Sequence, residues 1–599
     1  MLKKKTPFLL ITLGAVFLLI GSGVAAYLLM GQRHFMLGDS PEGSKLIPQD
    51  ALLTASISTD SAQWQQLNRY GTPETQAAFN KQLTQLQENL LRTNGYDYDL
   101  DIKPWLGKNV MISYLASGAM ITGKSSLPDI IVLPIEKLDK AQPLLEKVKS
   151  QTGIQFVERS YKGIEIRETK KSNAQNYSVA VIGRFVVLTN NPKIIERTID
   201  IYKGDASIAT TPGYTQALGK INTKTPFVQF YLNMPVFSAV VAGNSKRQFS
   251  PSDAEAKQPM QGIAATATLE AEGMLFQGIS WLKPNISEKY DVENPTSRLP
   301  RRLPGDTLFM LSGGNLAKLW QDYAKGAESN SLALIPPDSL SASLKGILGV
   351  DLQENLLPWM GSEFSLALIP ASPEALTNPE NQRLQLGAGL VFMVQASDRD
   401  RAEQTLGQIN KVMESRHRFQ VEEIKVKNQA VVNWKSPLGG VSITHGWLDG
   451  NVLFVTLGAP ITGDFLPQPK AALTQNLLFQ QAVPAQPNPN NGQFFLDVER
   501  SINSGTLNLS QFLPPEQKMW AKAIRAIGVT NAISDKRSNR FDMFVQLKTI
   551  ATPSLSPSPG PNFSPPTNPS LLQTPKRLVS SPPVPQTPKT PQTPLTPLP

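Results

Sequence analysis

Three aspartates at alternate positions form the arrangement in this chain that most resembles a reactive or ligand-binding site. Residues 95–108 read GYDYDLDIKPWLGK, with carboxylates at Asp97, Asp99 and Asp101. EF-hand calcium loops begin in this way because alternating carboxylates converge on one cation. The same motif needs glycine at its sixth position and glutamate at its twelfth, where this chain has Ile102 and Lys108. We therefore interpret the stretch as a turn capped by Asp97, and we assign no metal site.

A second motif matches a phosphate-binding loop letter for letter. Residues 118–125 read GAMITGKS. A phosphate cradle needs a helix that begins at the Lys-Ser pair, so that its first amides face the phosphates. Here Pro128 and the strand-like run IIVLP follow instead. We interpret the segment as a hairpin loop and predict no bound nucleotide.

The residue types needed for most catalytic and metal chemistry are scarce. The chain has no cysteine, and its histidines are His34, His417 and His445. Neither G-x-S-x-G nor H-E-x-x-H occurs, and nothing in the spacing of the 48 acidic residues singles out a catalytic pair. We interpret His417 as exposed and His445 as a packed or edge residue of a strand. The sequence therefore assigns no catalytic, cofactor-binding or metal-binding residue, and an enzyme is not the favoured interpretation.

The chain also resembles itself. Pro48 and Trp64 recur as Pro304 and Trp320, and GYDYDLDIKPWLG at 95–107 aligns without a gap with GVDLQENLLPWMG at 349–361. Further blocks match in the same order: 129–150 with 389–410, 178–192 with 444–460, 226–233 with 492–499, and 275–283 with 540–548. Self-similarity of this kind is typical of repeated units. We predict two tandem copies of one module, residues 46–290 and 302–550.

Each module combines short strands with helices. The pattern predicts a strand at 51–58, a helix from Ser61 to about Arg92, and a second helix at 137–150. It also predicts hairpins that turn at Lys162-Gly163, Gly183-Arg184 and Glu272-Gly273. Hairpins imply antiparallel pairing, so we predict an α+β module with an antiparallel sheet and packed helices. We interpret the repeated Pro-Trp-x-Gly as a core tryptophan followed by a glycine that permits a turn.

The two ends differ from the body. Residues 8–30 carry no charge and are long enough to span a bilayer, and Lys3, Lys4 and Lys5 before them place the N-terminus in the cytoplasm. A signal peptide cleaved near Ala26 is the alternative. The apolar run continues to Met30, however, which favours an uncleaved anchor, and we assign residues 1–37 to it. Residues 552–599 are rich in proline and are predicted to be a disordered tail.

Most of the net charge of +10 lies in these ends. They hold seven of the 58 basic residues and no acidic residue, which leaves 51 basic and 48 acidic residues for the body. A nearly neutral body has no field that attracts polyanions, so we predict no nucleic-acid partner.

The Lys-rich anchor, the P-x-D-A-L run from Pro48, Gly71-Thr72-Pro73 and the stretch from Asp101 to Gly107 together resemble a cyanobacterial family of unknown function, DUF3352. The resemblance covers about residues 40–550. It implies a membrane-associated cyanobacterial protein, and it supplies no activity or site residue.

The combined prediction is a single-span protein whose bulk lies in the periplasm or thylakoid lumen. Its expected role is non-catalytic binding or scaffolding. Its expected partners are the membrane, through residues 8–30, and a protein or cell-envelope polymer. An Asp/Glu-dependent hydrolase acting on cell-wall polymer and a lipid-binding carrier are the alternatives; a carrier requires a long apolar groove.

Overall fold

The computed structural model describes residues 41–91, 96–116, 128–141, 155–170, 177–221, 223, 225–244, 250–290, 298–329, 337–372, 387–437, 442–503 and 513–550. Contacts divide the chain into Met1–Ile550 and Ala551–Pro599. The predicted anchor, the GAMITGKS loop, most of the helix predicted at 137–150 and the proline-rich tail lie outside the described residues. Among the residues that are described, no helix is both long enough and apolar enough to cross a bilayer.

In the part of the chain that the structure describes, the strands form one sheet of twenty. In the first half they are β1 Leu53–Ser58, β2 Asn109–Tyr114, β3 Ile130–Pro134, β4 Gln155–Tyr161, β5 Ile164–Lys170, β6 Ser178–Ile182, β7 Phe185–Thr189, β8 Val228–Asn233, β9 Met260–Glu270 and β10 Gly273–Leu282. In the second half they are β11 Phe309–Gly313, β12 Phe364–Pro370, β13 Ala388–Gln395, β14 Gln420–Val426, β15 Gln429–Lys435, β16 Ser442–Leu448, β17 Val452–Gly458, β18 Gly492–Asp497, β19 Ile524–Asp535 and β20 Ser538–Leu547.

Every pair among these twenty strands is antiparallel. The first half follows the order β4-β5-β6-β7-β3-β2-β1-β8-β9-β10. The second half follows β14-β15-β16-β17-β13-β12-β11-β18-β19-β20, which is the same order with ten added to each number. β10 pairs with β20 and joins the halves into one continuous sheet. The antiparallel α+β prediction is therefore confirmed, and the module boundaries remain a prediction.

The helices lie between strands and at their ends. They are α1 Ser61–Leu67, α2 Pro73–Leu90, α3 Pro192–Tyr202, α4 Tyr214–Gly219, α5 Met234–Asn244, α6 Pro251–Lys257, α7 Leu316–Ser329, α8 Pro337–Leu348, α9 Arg399–Ser415, α10 Thr462–Phe465, α11 Leu477–Ala482 and α12 Pro515–Ala521. Short π-helical turns occupy Tyr98–Ile102, Leu352–Leu356 and Glu499–Asn503, and short 3-10 turns Glu42–Leu46, Ile208–Thr210, Leu299–Arg302, Leu357–Trp359 and Leu473–Gln475.

The local predictions fare unevenly. The hairpin turn at Lys162-Gly163 is confirmed, with both residues at positive φ. The single helix predicted from Ser61 is wrong because Gly71 adopts φ +100° and Thr72 caps a new helix, α2. The turn predicted at Glu272-Gly273 is shifted by one residue, since Gly273 already begins β10.

Alternate side chains point to opposite faces of the sheet. Face A carries Ala55, Phe276 and Met543, and face B carries Met111, Ile279 and Phe495. Face B holds one apolar core in each half. The core of the first half includes side chains of α3 and α4, and the core of the second half includes side chains of α10 and α11. On face A a central core contains strand residues from both halves.

Gly528 on β19 provides a test of this packing. A Cβ atom there would lie 2.1 Å from the carbonyl oxygen of Ala482, at the end of α11. We expect Gly528→Ala to lower the free energy of unfolding by about 2 kcal/mol, as overpacking does. Gly407→Ala is the control, because no atom lies within 4 Å of its Cβ and α9 continues through it. That change should stabilise the protein by about 0.5–1 kcal/mol. Denaturant unfolding of both variants checks the pair, and equal effects would contradict this packing.

Candidate functional site

The aspartates of the 95–108 stretch hydrogen-bond to the chain itself. The Oδ1 atom of Asp97 accepts from the amides of Asp99 and Leu100 at 2.9 and 3.1 Å. Asp101 Oδ2 accepts from the amide of Asp97 at 2.8 Å, and Lys103 Nζ lies 2.8 Å from Asp99 Oδ1. Asp351 caps Gln353 and Glu354 in the same way. The predicted capping role is confirmed. Within the described ranges, no group of three or more acidic or histidine side chains is arranged to hold a metal ion.

The two Pro-Trp-x-Gly tryptophans lie in the interior. Trp105 is 1% exposed and Trp359 is fully buried. The indole Nε1 donates to the carbonyl of Asp101 in the first half, at 2.6 Å, and to that of Asn355 in the second, at 2.8 Å. Neither ring can stack a ligand. The proposed role of the glycines is wrong, because neither Gly107 nor Gly361 has a positive φ. A Cβ at Gly107 would instead touch Pro134 at 3.0 Å.

His445 is a packed strand residue, as predicted. It is 4% exposed, its ring meets that of Trp434 edge-on at 5.2 Å, and its Nε2 lies 3.0 Å from Asn410 Oδ1. The indole of Trp434 donates to that same oxygen, so the oxygen is an acceptor and His445 Nε2 donates to it. Burial lowers the pKa of His445 to about 4.

The described aspartates that are buried have both carboxylate oxygens engaged. Asp129 accepts from the amide of Leu115 and from Asn190. Arg500 donates to both oxygens of Asp497 through its amide and its Nε. Asp542 accepts from Arg540 at 3.0 Å on both oxygens and from Gln277 Nε2 at 2.8 Å. These carboxylates act as structural acceptors, which leaves them poorly placed to serve as a general acid or nucleophile.

A shallow pocket of about 350 Å³ lies beside α3, between Gln49, Asp50, Arg197 and Asp205. Its arginine is already paired with Asp50 at 2.5 Å, and both side chains are about half exposed. A solvated ion pair of this kind offers a ligand little.

Polar side chains cross the junction of the halves on face B. Neighbouring strands bring directly opposite one another the residues Ser56, Gln229, Thr266, Gln277, Asp542, Thr530, Gln493 and Ser312. We call these eight residues the polar row. Thr223, in a loop of the first half, donates to Gln277, and Thr530 donates to the carbonyl of Pro484, in a loop of the second half. Loops of both halves are therefore hydrogen-bonded to the polar row. The row is part of the packing between the halves.

The opposite face carries the strongest candidate for a binding surface. On face A, adjoining apolar side chains from six neighbouring strands of the second half are half-buried or exposed. They are Phe494, Leu496, Phe309, Leu311, Leu366, Leu368, Leu390, Phe392, Val455, Leu457 and Ile443. We call this set the apolar strip. Leu457 is 45% exposed.

Within the described residues, side chains of α7, α8 and α9 pack on face A at one end of these strands. Farther along the same strands on face A, Phe364, Val394 and Leu453 are almost fully buried, in a core with Leu406 and Ile409 of α9. Six members of the apolar strip still pack against a core: Phe392, Val455 and Ile443 against this one, and Leu311, Phe494 and Leu496 against the central core. Among the described residues, Phe309, Leu366, Leu368, Leu390 and Leu457 belong to neither core. Six strands about 4.8 Å apart make it about 24 Å wide across the strands. Contiguous apolar surface of this kind marks interaction sites in soluble domains.

The sequence gives no sign that this surface is partly open. FSLALIP in β12 and GLVFMV in β13 are apolar at nearly every position, which predicts strands covered on both faces. Only the placement of the helices decides which face remains partly open.

The fold and this surface define an α+β protein built on one continuous antiparallel sheet with a partly open apolar face. A family model described as "Protein of unknown function (DUF3352)" matches residues 11–547, and the chain belongs to that family. The match begins at residue 11 and takes in most of the 8–30 segment, which the sequence resemblance had left out. No curated protein is significantly similar to the chain.

Solved structures give only distant similarity. Crystal forms III, IV and I of TP0453 share 9%, 10% and 11% identity with this chain, at TM-scores of 0.24, 0.24 and 0.20. Each match covers 41% of this chain and 81–82% of the other. Similarity at this level carries no argument about fold or function.

The capping aspartates provide a matched test. Asp97→Ala and Asp351→Ala each remove one cap, and each should lower the free energy of unfolding by about 1 kcal/mol. Millimolar calcium should leave the melting temperature of the unmodified chain unchanged. A calcium-dependent rise in that temperature that Asp97→Ala abolishes would contradict the capping interpretation.

His445 predicts a pH dependence. Its folded pKa of about 4 lies below the usual 6.5, so the unfolded chain binds the proton more readily. Its contribution to stability is complete above pH 6.5 and is lost as the pH falls toward 4. Between pH 7.5 and pH 5 this loss amounts to about 2 kcal/mol. We expect His445→Gln to remove that part of the pH dependence in denaturant unfolding, and an unchanged dependence would contradict it.

Proposed function

We propose that the protein is a membrane-anchored, extracytoplasmic binding protein that holds lipid acyl chains on the apolar strip. The single observation that carries the proposal is the strip itself. Its side chains are entirely aliphatic or aromatic, and two of its members, Phe309 and Phe494, meet edge-on at 5.6 Å. A ligand that fits such a lining presents hydrocarbon and needs no hydrogen bonds from it.

Size supports a lipid as the ligand. One leaflet of a bilayer contributes about 15 Å of hydrocarbon, half of the usual core thickness. The strip is about 24 Å wide across its strands, so one acyl chain fits along it. Each methylene transferred from water contributes about 0.8 kcal/mol, so even partial occupation gives useful affinity. A polymer-cleaving hydrolase is less well supported than a lipid-binding protein, because the buried aspartates that could act in hydrolysis already accept hydrogen bonds from the chain itself.

The anchor and location are part of the same proposal. Residues 8–30 would hold the protein in the membrane, with the N-terminus in the cytoplasm and the body in the periplasm or thylakoid lumen of a cyanobacterium. A body tethered there has lipid within reach. Residues 552–599 would be a disordered tail, free to contact a protein or envelope polymer. Neither nucleotide nor nucleic acid is part of this proposal.

We further propose that residues 46–290 and 302–550 are two copies of one module. The shared pairing order supports this, and so do the matching indole bonds of Trp105 and Trp359. Gln229 lies opposite Ser56, and Gln493 opposite Ser312. On this register residues 229–233 correspond to 493–497, a shift of two residues from the sequence alignment of the blocks.

Photo-crosslinking in the native membrane tests the lipid proposal. Cells expressing the full chain are fed a photoactivatable, clickable fatty acid and irradiated, and the purified protein is analysed by mass spectrometry. We expect labelled peptides from β12, β13 and β17. Leu457→Glu should reduce that labelling about tenfold, because a carboxylate would replace an apolar contact of the acyl chain.

Leu477→Glu is the matched control. Leu477 is also an exposed leucine, at 67%, but it lies on α11, away from the strip. Its labelling should equal that of the unmodified chain. Labelling confined to residues 8–30, or equal labelling of both variants, would refute lipid binding at the strip.

A further inference from the structure

Among the described residues, β14 is an edge of the sheet, and some of its backbone groups have no partner there. In the described part of the chain its one partner is β15, joined by the two-residue turn Lys427-Asn428, both at positive φ. In such a hairpin Val426 and Gln429 exchange hydrogen bonds, so alternate residues before Val426 point their backbone groups away from β15. These residues are Val421, Glu423 and Lys425, and no acceptor for their amides lies among the described residues.

We propose that β14 pairs with β14 of a second copy of this chain. In an antiparallel pair the outward-pointing residues of one strand lie opposite the outward-pointing residues of the other. These are every second residue, so the two-fold axis that relates the copies passes through a residue of the strand and not between two residues. An axis at Ile424 places Glu423 opposite Lys425 of the second copy, and this occurs twice. Both side chains are exposed, and neither forms an ion pair within the described ranges. The edge is therefore self-complementary in charge.

Other pairings fit less well. An axis at Glu423 would place two glutamates directly opposite each other, which destabilises a strand pair. The other edge of the sheet, β4, has Glu158 and Ser160 pointing outward, by the same reasoning from its turn at Lys162-Gly163. Its cation, Arg159, is already bound to Glu168 and Glu196. β4 therefore has no partner charge for a second copy, which favours a closed dimer through β14 over an open chain.

Charge reversal tests the register. We expect the unmodified full chain to sediment as a dimer in detergent, with the detergent contribution subtracted. Lys425→Glu places like charges opposite each other twice, and we expect at least a tenfold rise in the dimer dissociation constant. The double variant Glu423→Lys/Lys425→Glu restores opposite charges and should return the constant to its original value. An unmodified chain that is monomeric at every concentration overturns the proposal, and so does a double variant that dissociates as readily as Lys425→Glu.

A cysteine placed on the axis gives an independent measurement. The chain contains no cysteine, so a single introduced thiol reports only its own neighbours. Ile424 would lie opposite itself in a non-hydrogen-bonded pair, with Cα atoms about 4.5 Å apart, which suits a disulfide. We expect Ile424→Cys in native membranes to form a covalent dimer under mild oxidation, and Ser160→Cys on β4 to remain monomeric. Equal cross-linking of the two variants, or none at position 424, contradicts the proposed interface.

Discussion

The pairing of β10 with β20 is the constraint on which the rest of the structure depends. Nine residues of β10 pair with β20 and close the gap between two ten-strand halves. The contact is specific on both faces. On face A the ring of Phe541 lies over Gly278, where a Cβ would come within 2.0 Å of it. On face B the Gln277 amide binds the carboxylate that Arg540 holds. Without this pairing each half would end in a long unpaired strand, a form of edge that favours aggregation.

A continuous sheet limits where helices can provide cover. Face B carries one core in each half, and the polar row lies between these cores. The loops that contain Thr223 and Pro484 are hydrogen-bonded to the row. On face A the central core draws on strands from both halves, while α7, α8 and α9 pack around Trp359 at one end of the second half. These two cores take in part of the apolar strip and leave Phe309, Leu366, Leu368, Leu390 and Leu457 outside them. The interior packing and the proposed binding surface share a common origin.

Local features were predictable where a few adjacent residues decide them. Lys162-Gly163 specifies its turn, and Asp97 caps the amides that follow it. The break between α1 and α2 could also have been found, because Gly71-Thr72-Pro73 contains a C-terminal glycine, a cap and a first-turn proline. α5 was missed for a physical reason. MPVFSAVVAGN is apolar nearly throughout and has no period that separates a helix from a buried strand. The partly open face of β12 and β13 leaves no sequence signal for a similar reason, since both strands are apolar on both sides.

The sequence by itself determined the class of fold, the internal similarity, the capped turns and the lack of cysteine chemistry. These properties depend on residue type and short spacing. The tertiary structure alone decided that β10 pairs with β20, that eight polar side chains align across the junction, and that part of the apolar strip lies outside the two cores on face A. Strand partners hundreds of residues apart leave no local signal, because an alternating strand is compatible with many neighbours and registers. Which face of an apolar strand remains open depends on helices encoded elsewhere in the chain.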